Sequence, residues 1–452
     1  MMNVLIIAYH FPPDSQVGGI RPAKFAKYLP EFGWEPHILT VKDKYIESTD
    51  YSRIKELKTV PVTKTYIFPT LMDIALNIKR SMTPSKQAES LHYDINQEDN
   101  NENNQNQDSL LKRSLNSLLE SPDKQFGWFI PAIWAGMKII RKEKIDVILT
   151  TAPPATVSFI GLALAYLSGK KLVTDLRDPL VLHTSKAPSH QTQLSNKIEK
   201  WFEKKLYKKS SMVISATEKH TQYFKDIYGD KYTNKFHTIW NGFDSSDFDE
   251  SDNKSKITNE KFTINYIGSF YGSRSPAYFL QALQHLITNK LIPEQEIEIN
   301  FIGNVEQTNE GETIDLINKN KLQNCVHIKG QIPYKDALKK MQEADVLLLI
   351  APADMNRYAI PAKTFEYMYA NNNILCLASN SPTGELIKKI RCGKVADVFS
   401  INEIAGCIQQ FYTEWKNNEL QTENSKIAMF ERKYQTKELS ILLNTLINMD
   451  KH

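Results

Sequence analysis

Residues 360–377 read IPAKTFEYMYANNNILCL, and the parsing of this run decides the fold. Just upstream, Ala344 to Ile350 (ADVLLLI) is a continuous apolar stretch ending in Ala351-Pro352-Ala353, the pattern of a strand buried on both faces. Pro361 is expected at a first helical position, where its preset φ and missing N–H do no harm. Phe365, Met368 and Tyr369 supply a short i, i+3, i+4 apolar face, and Asn371 to Asn373 end the helix. Lys363 and Glu366 then share one side of the first turn. A helix N-terminus beside a lysine favours anions, because unpaired N–H groups and the macrodipole act together. A carboxylate one turn deeper suits two sugar hydroxyls. Taken alone, Lys363 and Glu366 also fit a solvated pair; strand, loop, Pro, Lys and Glu together predict a nucleotide-sugar pocket.

The chain has 452 residues, too many for one core, so two domains with embellishment are expected. It is 41% hydrophobic and 24% charged, with a net charge of +4. These are values of an ordinary globular protein without a nucleic-acid footprint. Its four cysteines, Cys325, Cys376, Cys392 and Cys407, lack metal-ligand spacing and are expected as thiols in a reducing cytoplasm. No basic n-region precedes the first apolar run, Val4 to Ala8, so no secretory signal is expected. The longest candidate membrane run, Phe159 to Leu167, is far shorter than the roughly 20 residues of a spanning helix. A soluble protein, or one resting on a membrane face, is expected.

Working outward, the first half opens with the strand Val4 to Ala8, the loop Tyr9-His10-Phe11-Pro12-Pro13, the Gly18-Gly19 turn and a helix from about Arg21 to Phe32. Gly33 is its expected C-cap, and Pro30 is expected to kink or shorten it. A strand His37 to Val41 follows, completing a Rossmann-like opening without the GxGxxG fingerprint. Within residues 81–109 the run HYDINQEDNNENNQNQD is nearly devoid of apolar side chains, and the segment is expected as a disordered insertion. A helix from Trp128 to Lys142, the strand Asp146 to Thr150, a helix from Ala155 and the strand Lys171 to Thr174 lead to Asp175-Leu176-Arg177-Asp178-Pro179. Charged residues at a strand's C-terminal end mark where open α/β sheets place ligands; an Arg177–Asp178 pair bracing a loop is the alternative.

Gln193 to Lys209 is an amphipathic helix with Leu194, Ile198, Trp201, Phe202 and Leu206 on one side and six lysines on the rest. It fits either an anionic membrane surface or a core-packed helix with solvated lysines. Asp247-Phe248-Asp249 matches a DxD metal pattern but falls in an acidic linker, so it is read as coincidental. Beyond that linker the alternation restarts with a strand from Phe262 to Ile267, the loop Tyr271-Gly272-Ser273-Arg274 and helices from Pro276 onward.

Six stretches spread over both halves carry a family resemblance: YHFPPDSQVGGIRPAKFAKYL, TTAPPATVSFIGLALA, VTDLRDPL, IWNGFD, INYIGSFYGSRSP and IPAKTFEYM. Together they resemble the bacterial GT-B fold glycosyltransferases of the family 4-like, retaining, sugar-nucleotide-dependent group. The resemblance implies an α/β chain of two Rossmann-like domains facing across a cleft. An acceptor-binding domain is expected at 1–245 and a nucleotide-sugar-binding domain at 246–426, with a C-terminal helix, 427–452, packing back on the first.

The resemblance also implies site residues. Gly19 matches the glycine that lets backbone N–H approach the donor. Arg274 and Lys363 match the basic residues that neutralise the diphosphate leaving group, and so are the catalytic candidates. Glu366 matches the second glutamate of an E-x7-E motif and holds the ribose. The first glutamate is replaced by Tyr358, and an arginine usual beside Gly268 by Ser269. Asp175, Arg177, Asp178 and His183 are the acceptor-side candidates. No metal and no cofactor are expected, the nucleotide-sugar being a substrate. The expected partners are that donor, a glycan or lipid-linked glycan acceptor and a peripheral membrane contact, without nucleic acid. The expected location is the cytoplasm or the inner face of its membrane. A sugar-nucleotide 2-epimerase of the same fold and a degenerate glycan-binding protein remain alternatives.

Overall fold

The computed structural model describes residues 1–69, 123–177, 193–248, 260–352, 357–370, 373–420 and 426–448. The expected insertion at 81–109, together with Asp178, His183 and Asp249, lies outside them. The chain divides into two compact units, Met1–Ile239 with Thr436–His452, and Trp240–Gln435. The division falls at Ile239/Trp240, ahead of the expected 245/246.

Unit 1 is a seven-stranded parallel sheet in which β1 (Met2–Ala8), β2 (Trp34–Val41), β3 (Val62–Thr65), β4 (Val147–Ala152), β5 (Lys171–Leu176), β6 (Met212–Ser215) and β7 (Phe236–Thr238) run in the order β3-β2-β1-β4-β5-β6-β7. The register pairs Ile6 with Ile38 on one side and Leu149 on the other, so the central strands are apolar on both faces, as a doubly covered sheet requires. One face carries α1 (Ile20–Tyr28). There Val4, Ile6, Ile38, Leu149 and Val173 pack with Phe25 and Leu29. The other face carries α2 (Phe129–Lys142), α3 (Ala155–Ser168), α4 (Gln193–Lys209) and α5 (Glu218–Tyr228) over Leu5, Ile7, Ile148 and Leu172. Pro30 acts as expected: α1 stops at Tyr28, and residues 29–32 tighten into a 3-10 turn closed by Gly33 at φ 85°. Asp123 is tied to the start of α3, its carboxylate accepting from the Thr156 N–H at 2.7 Å.

Unit 2 holds β8 (Phe262–Ile267), β9 (Ile297–Ile302), β10 (Val326–Ile328), β11 (Val346–Ile350), β12 (Asn373–Leu377) and β13 (Gly393–Ala396) in the parallel order β10-β9-β8-β11-β12-β13. One face packs against α6 (Ala277–Thr288), α7 (Thr313–Lys319) and α11 (Ile401–Lys416), and the other against α8 (Tyr334–Glu343), α9 (Lys363–Tyr369) and α10 (Pro382–Ile390). The last helix, α12 (Arg432–Asn448), starts in unit 2 and crosses the division. Its Leu439, Leu443 and Leu446 complete the core on the α1 face of unit 1. The Trp34 indole N–H donates to Asn444 at 3.0 Å, and the Lys171 amine to the Leu446 carbonyl at 2.6 Å.

Both sheets reverse strand order once, between β1 and β4 in unit 1 and between β8 and β11 in unit 2. Loops leaving the C-terminal ends of those strands diverge, which opens a crevice for ligand.

Candidate active site

In unit 2 the crevice is built from the ends of β8 and β11. β8 ends at Gly268, which at φ +143° backs directly onto the next loop: a Cβ on Gly303 would stand 2.1 Å from the Gly268 carbonyl oxygen. This close approach holds open the space that Lys363 enters from α9. The Lys363 amine lies 4.1 Å from the centroid of the Tyr266 ring and donates to the Ile267 carbonyl at 3.1 Å. A Cβ on Gly268 would come within 2.6 Å of that amine and would be strained at this φ, so the position favours glycine. Tyr266 is itself fixed, its hydroxyl donating to the Ser269 carbonyl at 2.8 Å. Burial and the neighbouring Arg274 lower the Lys363 pKa to about 7, with Glu366 opposing the shift.

Arg274, 8% exposed, lies over the Tyr271 ring at 4.5 Å and donates to its hydroxyl at 2.5 Å. Arg274 is near enough to repel the Lys363 charge, a repulsion that a bound anion would relieve. Glu366 sits on the first turn of α9, and its carboxylate accepts from the Tyr334 hydroxyl at 2.8 Å. The expected helix start needs correction. Pro361 precedes α9, which begins at Lys363 behind the Ala362 N-cap and runs for only seven residues. The positive field therefore comes from the Lys363 and Arg274 side chains, not from a helix terminus at Pro361. Of the two departures, Ser269 supplies its carbonyl to Tyr266, and Tyr358 is half-buried beside the Arg357 guanidinium at 5.6 Å.

In unit 1 the loop after β1 carries a pair that the sequence reading passed over. His10 Nδ1 lies 2.7 Å from the Asp14 carboxylate, which is buried and also accepts from the Gln16 N–H at 2.9 Å. Gly19 closes this loop, its N–H donating to the Gln16 carbonyl at 3.0 Å. The tighter steric demand falls on Gly18, where a Cβ would stand 2.5 Å from the Arg177 guanidinium. Arg177 in turn donates to the Ala152 and Pro153 carbonyls at 3.2 and 2.7 Å, bracing the loop after β4. Asp175 is enclosed in the unit: its carboxylate takes two bonds from Arg21, at 2.9 and 2.8 Å, and one from Thr151 at 3.1 Å. A carboxylate so placed positions neighbours instead of meeting solvent. The signal for His10 was the H-x3-D spacing inside the loop; for Tyr334, Tyr266 and Arg21 no local signal exists, since each acts on a partner brought near only by the fold.

Two parallel, doubly wound sheets, the second with a lysine and an arginine on the loops and helix at its switch point, define a GT-B chain. Comparison with known proteins agrees. The model of Glycosyltransferase Family 4 matches residues 99–247 and that of Glycosyl transferases group 1 matches 247–428. The Escherichia coli UDP-Gal:alpha-D-GlcNAc-diphosphoundecaprenol alpha-1,3-galactosyltransferase is 26% identical over 184 residues, covering 38% of this chain and 44% of that protein. The chain thus matches less than half the length of this curated relative. Anabaena HepE in complex with UDP superimposes with a TM-score of 0.62 at 13% identity, over 98% of this chain and 100% of that one. Sucrose-phosphate synthase from Thermosynechococcus elongatus gives 0.63 at 13%, over 99% and 100%. At such identity these two likenesses speak for the fold. The chain belongs to the family 4-like glycosyltransferases of the GT-B fold.

Proposed function

We propose that this protein moves a sugar from a nucleotide-sugar to a glycan or lipid-linked glycan, with retention at the anomeric carbon and without a metal, in the assembly of a surface polysaccharide. The observation that carries the reading is the placement of Lys363 and Arg274 together at the end of β8. Breaking the sugar–diphosphate bond builds positive character at the anomeric carbon and negative charge on the departing oxygen. Fixed cations that wait for that charge lower the barrier without reorganising. Lys363 and Arg274 receive the leaving diphosphate, Glu366 takes the ribose hydroxyls, and the leaving phosphate accepts the acceptor's proton on the front face. Arg177 and, outside the described residues, Asp178 and His183 are assigned to the acceptor; Asp175 acts on it through the loops that it braces.

The E. coli relative is named for a diphosphoundecaprenol-linked acceptor and a UDP-sugar, and the HepE structure holds UDP. Both support a uridine nucleotide here, and the E. coli relative a lipid-linked acceptor. No described helix is long and apolar enough to cross a membrane; on this reading the acceptor is met at the cytoplasmic face.

A panel of UDP-, GDP- and ADP-sugars, incubated with membrane lipid extract as acceptor source, tests the reading. Nucleotide release with a glycosylated product of retained configuration, unchanged by EDTA, is expected. Formation of an epimer without transfer would assign a 2-epimerase, and neither product would assign a glycan-binding protein.

A further inference from the structure

Helices α2, α3 and α4 lie side by side on one face of the unit 1 sheet and share one core. Their inward residues are apolar: Ala132, Ala135 and Ile139 on α2, Ile160 and Leu164 on α3, Phe202 and Leu206 on α4. Of the two readings of α4, core packing holds for Phe202 and Leu206, which are buried. The opposite side of the three helices is the unusual one. Ile130 and Trp134, one turn apart on α2, are 65% and 73% exposed, Tyr166 on α3 is 85% exposed, and Trp201 on α4 is 57% exposed. Large side chains usually bury most of their surface, and isolated exposed ones need no explanation. These four stand on the outer side of one helical layer, whose helices are tied together beneath them by Phe159 of α3 stacking on Phe202 of α4 at 3.3 Å.

The charge of this side is as lopsided as its apolarity. Lys138, Lys197, Lys200, Lys204, Lys205 and Lys208 are exposed, and α2 and α3 contain no acidic residue. Of the two glutamates of α4, Glu203 is buried and accepts from the Tyr207 hydroxyl at 2.8 Å, and Glu199 lies outside the described side chains. Lysines and indoles are also paired in space, Lys205 over Trp201 at 4.2 Å and Lys138 near Trp134 at 5.9 Å. An aromatic ring at headgroup depth with a cation extended beside it is how an interfacial surface meets anionic lipid.

We propose that the outer side of α2, α3 and α4 rests on an anionic bilayer, with Ile130, Trp134, Tyr166 and Trp201 entering the headgroup layer and the α4 lysines meeting the lipid phosphates. The occupant is a bilayer, not a protein, because the surface pairs scattered protruding rings with one sign of charge, carried by α2 and α4 on either side of the uncharged α3. The inference rests on the lipid-linked acceptor reading for its purpose: it names the surface by which unit 1 reaches such an acceptor.

The test is sedimentation of the full chain with vesicles of equal phosphatidylglycerol and phosphatidylcholine, and with phosphatidylcholine alone, at low and physiological salt. The wild type is expected to bind the anionic vesicles, more weakly as salt rises. Trp134→Ser with Trp201→Ser should lower the affinity at least tenfold at either salt. Lys204→Glu with Lys208→Glu should lower it by roughly tenfold or more, since each lysine near an anionic surface adds a several-fold gain, and should flatten the salt dependence. Lys319→Glu, on unit 2, should bind as the wild type does. A wild type that ignores anionic vesicles at low salt overturns the proposal. So does a tryptophan pair variant that binds like the wild type, because charge alone would then account for the binding. Stabilisation by UDP in a thermal melt, measured on the same samples, reports the nucleotide site separately. It also shows that each variant is folded, so failure on lipid and failure of the glycosyltransferase reading are told apart.

Discussion

The Tyr334 hydroxyl donates to the Glu366 carboxylate across 2.8 Å, joining the first turn of α8 to the first turn of α9. A carboxylate that is to hold two ribose hydroxyls must present its oxygens in one orientation, and this phenol selects it. Ribose contacts are alike in ground and transition states, so their loss weakens binding more than chemistry. Glu366→Ala is therefore expected to raise donor KM with kcat little changed. Tyr334→Phe should do the same to a lesser degree, by roughly tenfold, the scale of one hydrogen bond to a charged group. Steady-state kinetics check both, and a fall in kcat at constant KM in either variant would move Glu366 from binding to chemistry.

Lys363→Ala removes a charge-assisted contact that strengthens as the diphosphate departs. The expected loss is about 3 kcal/mol of transition-state stabilisation, read as a fall in kcat; a thermal melt of the variant separates this from the loss of the amine's contacts with Tyr266 and the Ile267 carbonyl. Near-normal turnover with a folded protein would end the assignment of Lys363 to the leaving group.

The same lysine predicts a proton linked to nucleotide binding. In the free protein its pKa is lowered to about 7, by burial first and by Arg274 second, whereas an unfolded lysine holds its proton to about 10.4. Between those values the unfolded state binds more protons, so this group makes stability rise with pH through that window; below it both states are charged and the burial penalty remains. An arriving diphosphate favours the charged amine and pulls a proton from solvent. UDP affinity should fall as pH rises above 7, and calorimetric titrations at pH 8 in two buffers of different ionisation enthalpy should differ by the heat of the proton taken up. Lys363→Met should abolish the difference; equal heats in the wild type would refute the linkage.

Asp175→Ala is expected to act through stability. It leaves the Arg21 guanidinium buried without its two bonds, and breaking a buried pair from one side costs about 3–5 kcal/mol. Replacing both partners together, with Arg21→Met and Asp175→Leu, should recover most of the lost melting temperature. A variant Asp175→Ala that melts like the wild type but loses transfer would instead put the carboxylate on the acceptor.

Much of the fold was legible because most strands are apolar runs punctuated by glycine and proline; β8 and β10 have the bounds that their sequence implies. The strand β3 was not, since Val62–Thr65 (VTKT) is a short edge strand with no face fully buried. Nor was α5, where Glu218–Tyr228 opens on a polar turn that its Thr217 cap, accepting from the His220 N–H, makes helical. At the site, Lys363, Glu366 and Arg274 could be read from spacing and resemblance. Their settings could not: Tyr266, Tyr334 and Gly268 matter through approaches across the sheet. The same holds for Arg21 and Asp175, 154 residues apart, whose pairing no local pattern announces.

The crossing of α12 has a consequence for the order of folding. Trp34 waits for Asn444, 410 residues later, and the core beneath α1 stays open until Leu439, Leu443 and Leu446 arrive. During synthesis, then, the unit made first is finished last, after the whole of unit 2 has emerged. A chain cut short before α12 would leave the ribosome with the core of its earlier-made unit uncovered, open to chaperones and proteases.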